Sequence, residues 1–166
     1  MDLITSLPPS HRYTAIMVVV DRFSKATHLG PLPTHYTTHK VALLFFDLVC
    51  KIHGFPCSIV SDRDAVFLST FWRELFRVSG TKLRFSMTYH PQSDGQTEAI
   101  NRVLEQYLRA FVHDQPRHWF KYLSLAKWSY NSSVLSGTGF SLFEVMFGKP
   151  PPKFPSYAAG DSQWRQ

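Results

Sequence analysis

The chain has 166 residues, 44% of them hydrophobic, enough for one domain with a buried core and too apolar for a disordered segment. Lys plus Arg number 18 against 12 Asp plus Glu, a net charge of +6, which favours a polyanionic partner such as nucleic acid but marks no site for it. Cys50 and Cys57 are too few for a disulfide framework and form no Cys-x-x-Cys pair, the start lacks a signal-peptide pattern, and no apolar run approaches the ~20 residues of a membrane span. A reduced, intracellular setting away from membranes is expected.

Along the chain, strands and helices alternate. Tyr13 to Val20 is β-branched and apolar and predicts a buried strand, with Lys25 to Leu32 as its partner across a turn at Arg22-Phe23-Ser24. Thr37 or Thr38 caps a helix running to about His53, where Gly54 and Pro56 stop it. Cys57 to Ser61 is a short apolar strand that delivers Asp62 at its C-terminal end. Ser69 or Thr70 caps the next helix, which ends at Gly80, and Lys82 to Met87 predicts another strand. Thr88 to Gln96 holds Pro, Ser, Asp and Gly and predicts a loop. A long helix follows from Thr97, then a helix over His118 to Ser129 and a short one within Thr138 to Gly148. From Pro150 the chain is Pro-rich, so residues 1–152 are expected to form the core and 153–166 a linker. This alternation predicts an α/β sheet covered by helices, with a site at the C-terminal ends of strands.

Phosphoryl transfer on DNA needs an activated oxygen nucleophile and a stabilised leaving oxygen. Two divalent ions about 3.5–4 Å apart supply both, and hard ions such as Mg²⁺ take carboxylate oxygens. The pattern to seek is carboxylates on different elements that converge. Asp2 precedes Leu3-Ile4 at the start of a possible first strand, Asp62 ends a buried strand, and Glu98 opens a helix after a polar loop. Each has an ordinary structural alternative: a turn or cap for the aspartates, a first-turn glutamate for Glu98. Asp21, Asp64 and Asp94 are weaker candidates, Asp21 as a turn residue or a partner for Arg22 or Lys25. The eight histidines show no metal-ligand spacing.

Two local motifs change the weighting. The first is Ile59-Val60-Ser61-Asp62-Arg63-Asp64 with Phe67 and Phe71-Trp72; the second is Tyr89-His90-Pro91-Gln92-Ser93-Asp94-Gly95-Gln96-Thr97-Glu98, continuing as Asn101-Arg102. Together they closely resemble the integrase catalytic cores of gypsy-type LTR retrotransposons, relatives of retroviral integrases. That family carries an Asp-Asp-Glu triad with 35 residues between the second Asp and the Glu, and here residues 63–97 separate Asp62 from Glu98. Met1-Asp2-Leu3-Ile4, Val19-Val20-Asp21-Arg22-Phe23-Ser24-Lys25, Tyr130-Asn131, Thr138-Gly139, Phe143-Glu144 and Gly148 extend the resemblance over nearly all of residues 1–152.

The resemblance implies a ribonuclease H-like fold, a five-stranded mixed sheet flanked by helices on both faces. It implies Asp2, Asp62 and Glu98 as the catalytic, metal-binding triad, with Mg²⁺ or Mn²⁺, two ions in all. It implies 3′-end processing and strand transfer on element-end and target DNA by a homo-oligomer, nuclear when acting on chromosomal DNA and in a cytoplasmic particle before that. Glu98, Arg102, Glu105 and Arg109 share one helical face, so Arg102 either pairs with Glu98 one turn away or, as favoured here because the metal site must leave Glu98 free, meets a DNA phosphate. Asn101 and the loop residues Gln92, Ser93 and Gly95 are expected beside it on the DNA. Three departures stand out: the first strand is cut short at Met1, Lys127 stands where the family has an acidic residue, and Leu142 where it has Pro. They suggest a weakly active or inactive polyprotein fragment. The competing readings are a catalytically silent relic that binds DNA or a protein partner, and a ribonuclease H-like nuclease or transposase of another lineage.

Overall fold

Strand β2 (Tyr13–Val20) is the predicted apolar run, and it is buried on both faces. A strand turns successive side chains to opposite sides, so its residues divide between two cores. Ala15 and Met17 face one core with Val41, Phe45, Trp72 and Phe76. Ile16 and Val18 face the other with Leu104, Leu108, Trp119 and Leu123. The computed structural model describes residues 1–86, 91–112, 115–134 and 138–152, with residues 91–100 and 111 as backbone only.

On one side of β2 lies β1 (Asp2–Ile4), antiparallel with Asp2 opposite Val18 and Ile4 opposite Ile16. On the other lies β3 (Thr27–Pro33), also antiparallel, with Met17 opposite Gly30. A second ladder pairs β4 (Ser58–Ser61) with β5 (Lys82–Phe85) in parallel. The expected five-stranded mixed sheet is met in part: five strands of mixed direction are described, in a three-stranded antiparallel and a two-stranded parallel ladder. Between them the Met1 backbone nitrogen donates to the Val60 carbonyl at 2.8 Å. With three residues, β1 has one complete ladder, to β2, and this contact toward β4.

Helices cover both faces, as expected. Thr37 caps α1 (Thr38–Phe45) by accepting from the Lys40 amide at 3.2 Å. The helix runs on through a π turn (Phe46–Cys50) and α2 (Lys51–His53), and Gly54 ends it at φ 77°. Leu44 and Leu48 press so close to β3 that a Cβ at Gly30 would meet a Leu48 methyl at 2.5 Å. A short helix α3 (Ala65–Leu68), absent from the sequence expectations, precedes α4 (Thr70–Val78), which Ser69 caps. Trp72 and Phe76 of α4 pack edge-to-face at 5.0 Å and both are fully buried.

The second face carries α5 (Pro91–Val112), α6 (Trp119–Ser132) and α7 (Leu142–Phe147). Helix α5 starts six residues before the expected Thr97, so Gln92, Ser93 and Gly95 lie in a helix and not in a loop. Pro at a first helical position has no amide hydrogen to waste, and one interior Gly costs only about 1 kcal/mol, less than a long helix recovers by packing. Residues 88–90 of the expected loop lie outside the described residues. Ser141 and Glu144 form a reciprocal capping box on α7, and Gly148 ends it in the left-handed region. Among the described residues, no helix is long and apolar enough to cross a membrane.

Strand β3 is an edge of its ladder, and α6 partners part of that edge. The Asn131 side chain accepts from the Thr27 amide and donates to the Thr27 carbonyl, both at 2.9 Å, as a neighbouring strand would. Both residues are buried. Asn131→Ala leaves a buried donor and acceptor without partners at about 1–3 kcal/mol each. Urea denaturation should show a loss of about 2–4 kcal/mol, and Asn131→Asp should recover little of it, because a carboxylate cannot donate to the carbonyl.

Candidate active site

Asp2 opens β1, and Asp62 follows the last residue of β4. The two come from different ladders, and the contact between Met1 and Val60 holds those ladders side by side one residue before Asp2 and two before Asp62. The carboxyl groups of Asp2 and Asp62 come within interaction distance of each other. Burial, then the neighbouring Asp2 carboxyl, then the charge of Asp64 raise the Asp62 carboxyl from its ordinary 3.8 to about 6; the Asp64 amide, donating to Asp62 Oδ1 at 3.4 Å, opposes the shift. The like charge is the part specific to this site, since two adjacent carboxylates cannot both ionise cheaply without a cation.

Asp2 is held on two sides. Its Oδ1 accepts from the Leu3 amide at 2.8 Å, and its Oδ2 accepts from Asn101 Nδ2. Asn101 was expected on DNA; the structure places its amide against Asp2, and its Oδ1 is buried without a partner. Arg102, the next residue of α5, is exposed. The side chains of Glu98, Gln92 and Ser93, and the surroundings of Gly95, lie outside the described residues. Among the described residues, no group of three or more His, Cys, Asp or Glu side chains is arranged to hold a metal.

Two of the weaker candidates have structural roles, and the side chain of the third, Asp94, lies outside the described residues. Asp64 caps α3 by accepting from the Val66 amide at 2.9 Å. Asp21 closes the β2–β3 turn, accepting from the Ser24 amide at 3.0 Å and the Ser24 hydroxyl at 2.5 Å. Burial would raise the Asp21 carboxyl, but the hydrogen bonds from Ser24 and Phe23, together with His53, hold it below its ordinary range. Sequence reasoning did not single out Tyr36. Burial raises its phenol, and Asp64 and Asp62 raise it further, so the ring lies within electrostatic reach of the pair. A single tyrosine between a strand and a helix cap carries no local signal that it faces a carboxylate.

Asp2 and Asp62 line a cavity of about 710 Å³ that extends toward Asp21, Arg22, His53 and Met146. The donor set suits a hard divalent cation: two carboxylates already crowded together, and the orphaned Asn101 Oδ1 beside them. A cation would supply the positive charge that the pair lacks.

No protein-family model matches the chain. Its curated relatives include the Transposon Tf2-3 polyprotein and the Transposon Tf2-4 polyprotein of Schizosaccharomyces pombe, each 37% identical over 155 residues, 93% of this chain and 12% of the polyprotein. The chain thus spans about an eighth of those relatives. Among solved structures, a chain of the simian T-cell lymphotropic virus intasome in complex with PP2A regulatory subunit B56 gamma has a TM-score of 0.75 at 19% identity, over 95% of this chain and 57% of that one. The HTLV-2 integrase catalytic core domain in complex with magnesium has a TM-score of 0.69 at 20% identity, over 87% and 93%. These likenesses establish a shared integrase-core fold.

The Asp2–Asp62 pair makes stability depend on pH in the metal-free protein. A carboxyl that titrates at about 6 when folded, against 3.8 ordinarily, binds its proton more tightly in the folded state. Its stabilising contribution is complete below pH about 4 and is lost as pH rises through about 6. Asp62→Asn should therefore melt about 2–4 °C higher than the parent at pH 7, a gain of about 1 kcal/mol once solvent screening is allowed for, and match it near pH 4. Calorimetry in chelator at both pH values checks this. An equal gain at both would assign the effect to something other than this pair.

Proposed function

The chain belongs to the integrase catalytic cores of LTR retrotransposons, and we propose that it performs metal-dependent 3′-end processing of element DNA and transfer of that end into target DNA. The observation that carries this reading is the convergence of Asp2 and Asp62 from separate ladders, close enough that one carboxyl is driven up to about 6. A structural salt link would pair a carboxylate with a cation; this arrangement pairs it with another carboxylate. Such a pair is expensive to fold and useful for gripping a divalent ion.

Asp2, Asp62 and Glu98 are the proposed ligands of Mg²⁺ or Mn²⁺, two ions in all, and magnesium accompanies the HTLV-2 core. When bound, the ions lower the pKa of an attacking oxygen and offset charge on the leaving one. The chain's own residues do the positioning. Asn101 holds Asp2 through Oδ2 and so turns that carboxylate. Arg102 is the proposed phosphate contact, exposed on the helix that carries Asn101. Gln92, Ser93 and Gly95 precede them in α5 and are proposed to lie along the same strand of DNA. A hydroxyl nucleophile, from water in processing and from a DNA 3′ end in transfer, attacks phosphorus and expels the opposite oxygen.

The proposed partners are element-end DNA, target DNA and further copies of the chain. The neighbouring structures are described as an intasome and as trimeric and dimeric cores. Action on chromosomal DNA places the protein in the nucleus, after residence in a cytoplasmic particle. Residues 1–152 form the proposed catalytic core and 153–166 its linker.

The test is disintegration, the reversal of strand transfer on a branched DNA, with Mn²⁺ or Mg²⁺. Asp2→Asn and Asp62→Asn should each lower the rate at least about 100-fold while leaving the melting temperature at or above the parent's. Arg102→Ala should weaken binding equally on unrelated DNA sequences and reduce the salt slope by about one, because a phosphate contact carries no base information. Unchanged disintegration in Asp62→Asn would overturn the assignment.

A further inference from the structure

Away from the carboxylate pair, a second cavity of about 250 Å³ lies between β3, α2, α6 and α7. Lys127 and His28 contribute its basic groups, and Ile52, Trp128, Phe143, Met146 and Phe147 most of its walls. Three facts set it apart from ordinary packing. Lys127 is half-buried, and no carboxylate pairs with it among the described residues. His28 is 5% exposed, and its Nδ1 is buried without a hydrogen-bond partner. Both of these line the same small space, and His28 also borders the cavity of the carboxylate pair.

The groups around His28 leave this charge without an answer. His53 packs edge-on against it at 5.1 Å, Lys127 acts on it from α6, and Asp21 is the one acid acting on it among the described residues. Asp21 is committed to Ser24 and Phe23 in its own turn. The Asn131 amide, which also lines the cavity, is committed at both ends to Thr27. Burial, then Lys127 and His53, pull His28 down to about 4 against the opposing Asp21, and burial alone lowers Lys127. Both shifts are those of basic groups facing a low-dielectric space that lacks an anion.

We propose that this cavity is a binding site for a small apolar carboxylic acid, whose single carboxylate meets Lys127 and whose hydrocarbon body fills the space between Trp128, Phe143 and Phe147. One ammonium suits one carboxylate. A phosphate dianion seeks several donors, and the Asn131 amide that could serve it is already used. Phe143 and Phe147, with ring centroids 4.6 Å apart, give the body an aromatic surface. Apolar walls with a few placed polar groups are the ordinary form of a small-molecule site. The proposal does not draw on the strand-transfer chemistry: Lys127, Trp128, Phe143 and Phe147 line this cavity and not the one that Asp2 and Asp62 line, although His28 and Met146 border both.

Phenylacetate is the probe, with 2-phenylethanol as the body without the charge, acetate as the charge without the body, and inorganic phosphate as a plain anion. The full chain is titrated by NMR with the imidazole carbons labelled. Phenylacetate should bind saturably and raise the titration midpoint of His28, while the three comparison compounds bind at least about tenfold more weakly. Lys127→Met keeps the stem, removes the charge, and should lose about tenfold or more for phenylacetate with no fall in melting temperature. Phe147→Ala should weaken phenylacetate more than acetate. If phenylacetate leaves His28 unmoved in the parent chain, there is no site. Equal binding by Lys127→Met would remove the ammonium from it, and equal binding of phosphate would reduce it to an adventitious ion only.

Discussion

Asp2 and Asp62 repel each other, and the fold keeps them together because each is fixed to a strand that the cores hold in place. On β1, Leu3 packs against the core of Phe45 and Trp72, and Ile4 against that of Leu104 and Trp119. On β4, Ile59 is buried in the first of these. Separating the carboxylates means moving a three-residue strand clamped from above and below. Burial of several large side chains, at ~25 cal/mol per Å² of apolar surface, exceeds the cost of one carboxyl driven up to about 6. The same clamps align Asn101 with Asp2, since Leu104, one helical turn further along α5, is fully buried against β2.

The two places where the structure tolerates unanswered charge differ in sign. The Asp2–Asp62 end is acidic; the His28–Lys127 end is basic. His28 lines both cavities and so lies between them. Burial works in opposite senses at the two ends, raising a carboxyl and lowering an imidazole and an ammonium, because in each case it disfavours the charged form. Elsewhere the polar groups of the turns and caps are satisfied locally, at Asp21, Asp64, Thr37, Ser69 and Ser141. Against that background, a half-buried ammonium and a half-buried carboxyl pair each mark chemistry that the packing alone does not require.

The ladder arrangement explains how so short a first strand can present a functional side chain. Each residue of β1 is paired with β2, so Asp2 is aligned by the hydrogen bonds of Leu3 and Ile4 as well as by its own. The link from Met1 to Val60 then sets the distance to β4. A parallel pair such as β4–β5 needs covered faces, and α1 and α4 provide one cover through Phe45, Trp72 and Phe76. The site thus sits at a seam between two ladders, where side chains from both can meet without a backbone hydrogen-bond row between them.

What the amino-acid order determined by itself was local. The apolar run Tyr13–Val20, the caps at Thr37 and Ser69 and the stop at Gly54 act within a few residues, and each was legible; the capping box at Ser141 and Glu144 is equally local but was not read. The position of Asp62 at a strand end was legible for the same reason. Local reasoning failed where tertiary contacts outweighed it. Helix α5 begins at Pro91 despite a loop-like composition. Only the tertiary structure brought Asp62 to Asp2, Asn101 to Asp2, Asn131 to Thr27 and Lys127 to His28, pairs separated by 60 to 104 residues. No propensity or period reports such a meeting. Hydrophobic burial from both faces of β2 decides it, and the polar side chains take whatever neighbours that packing provides.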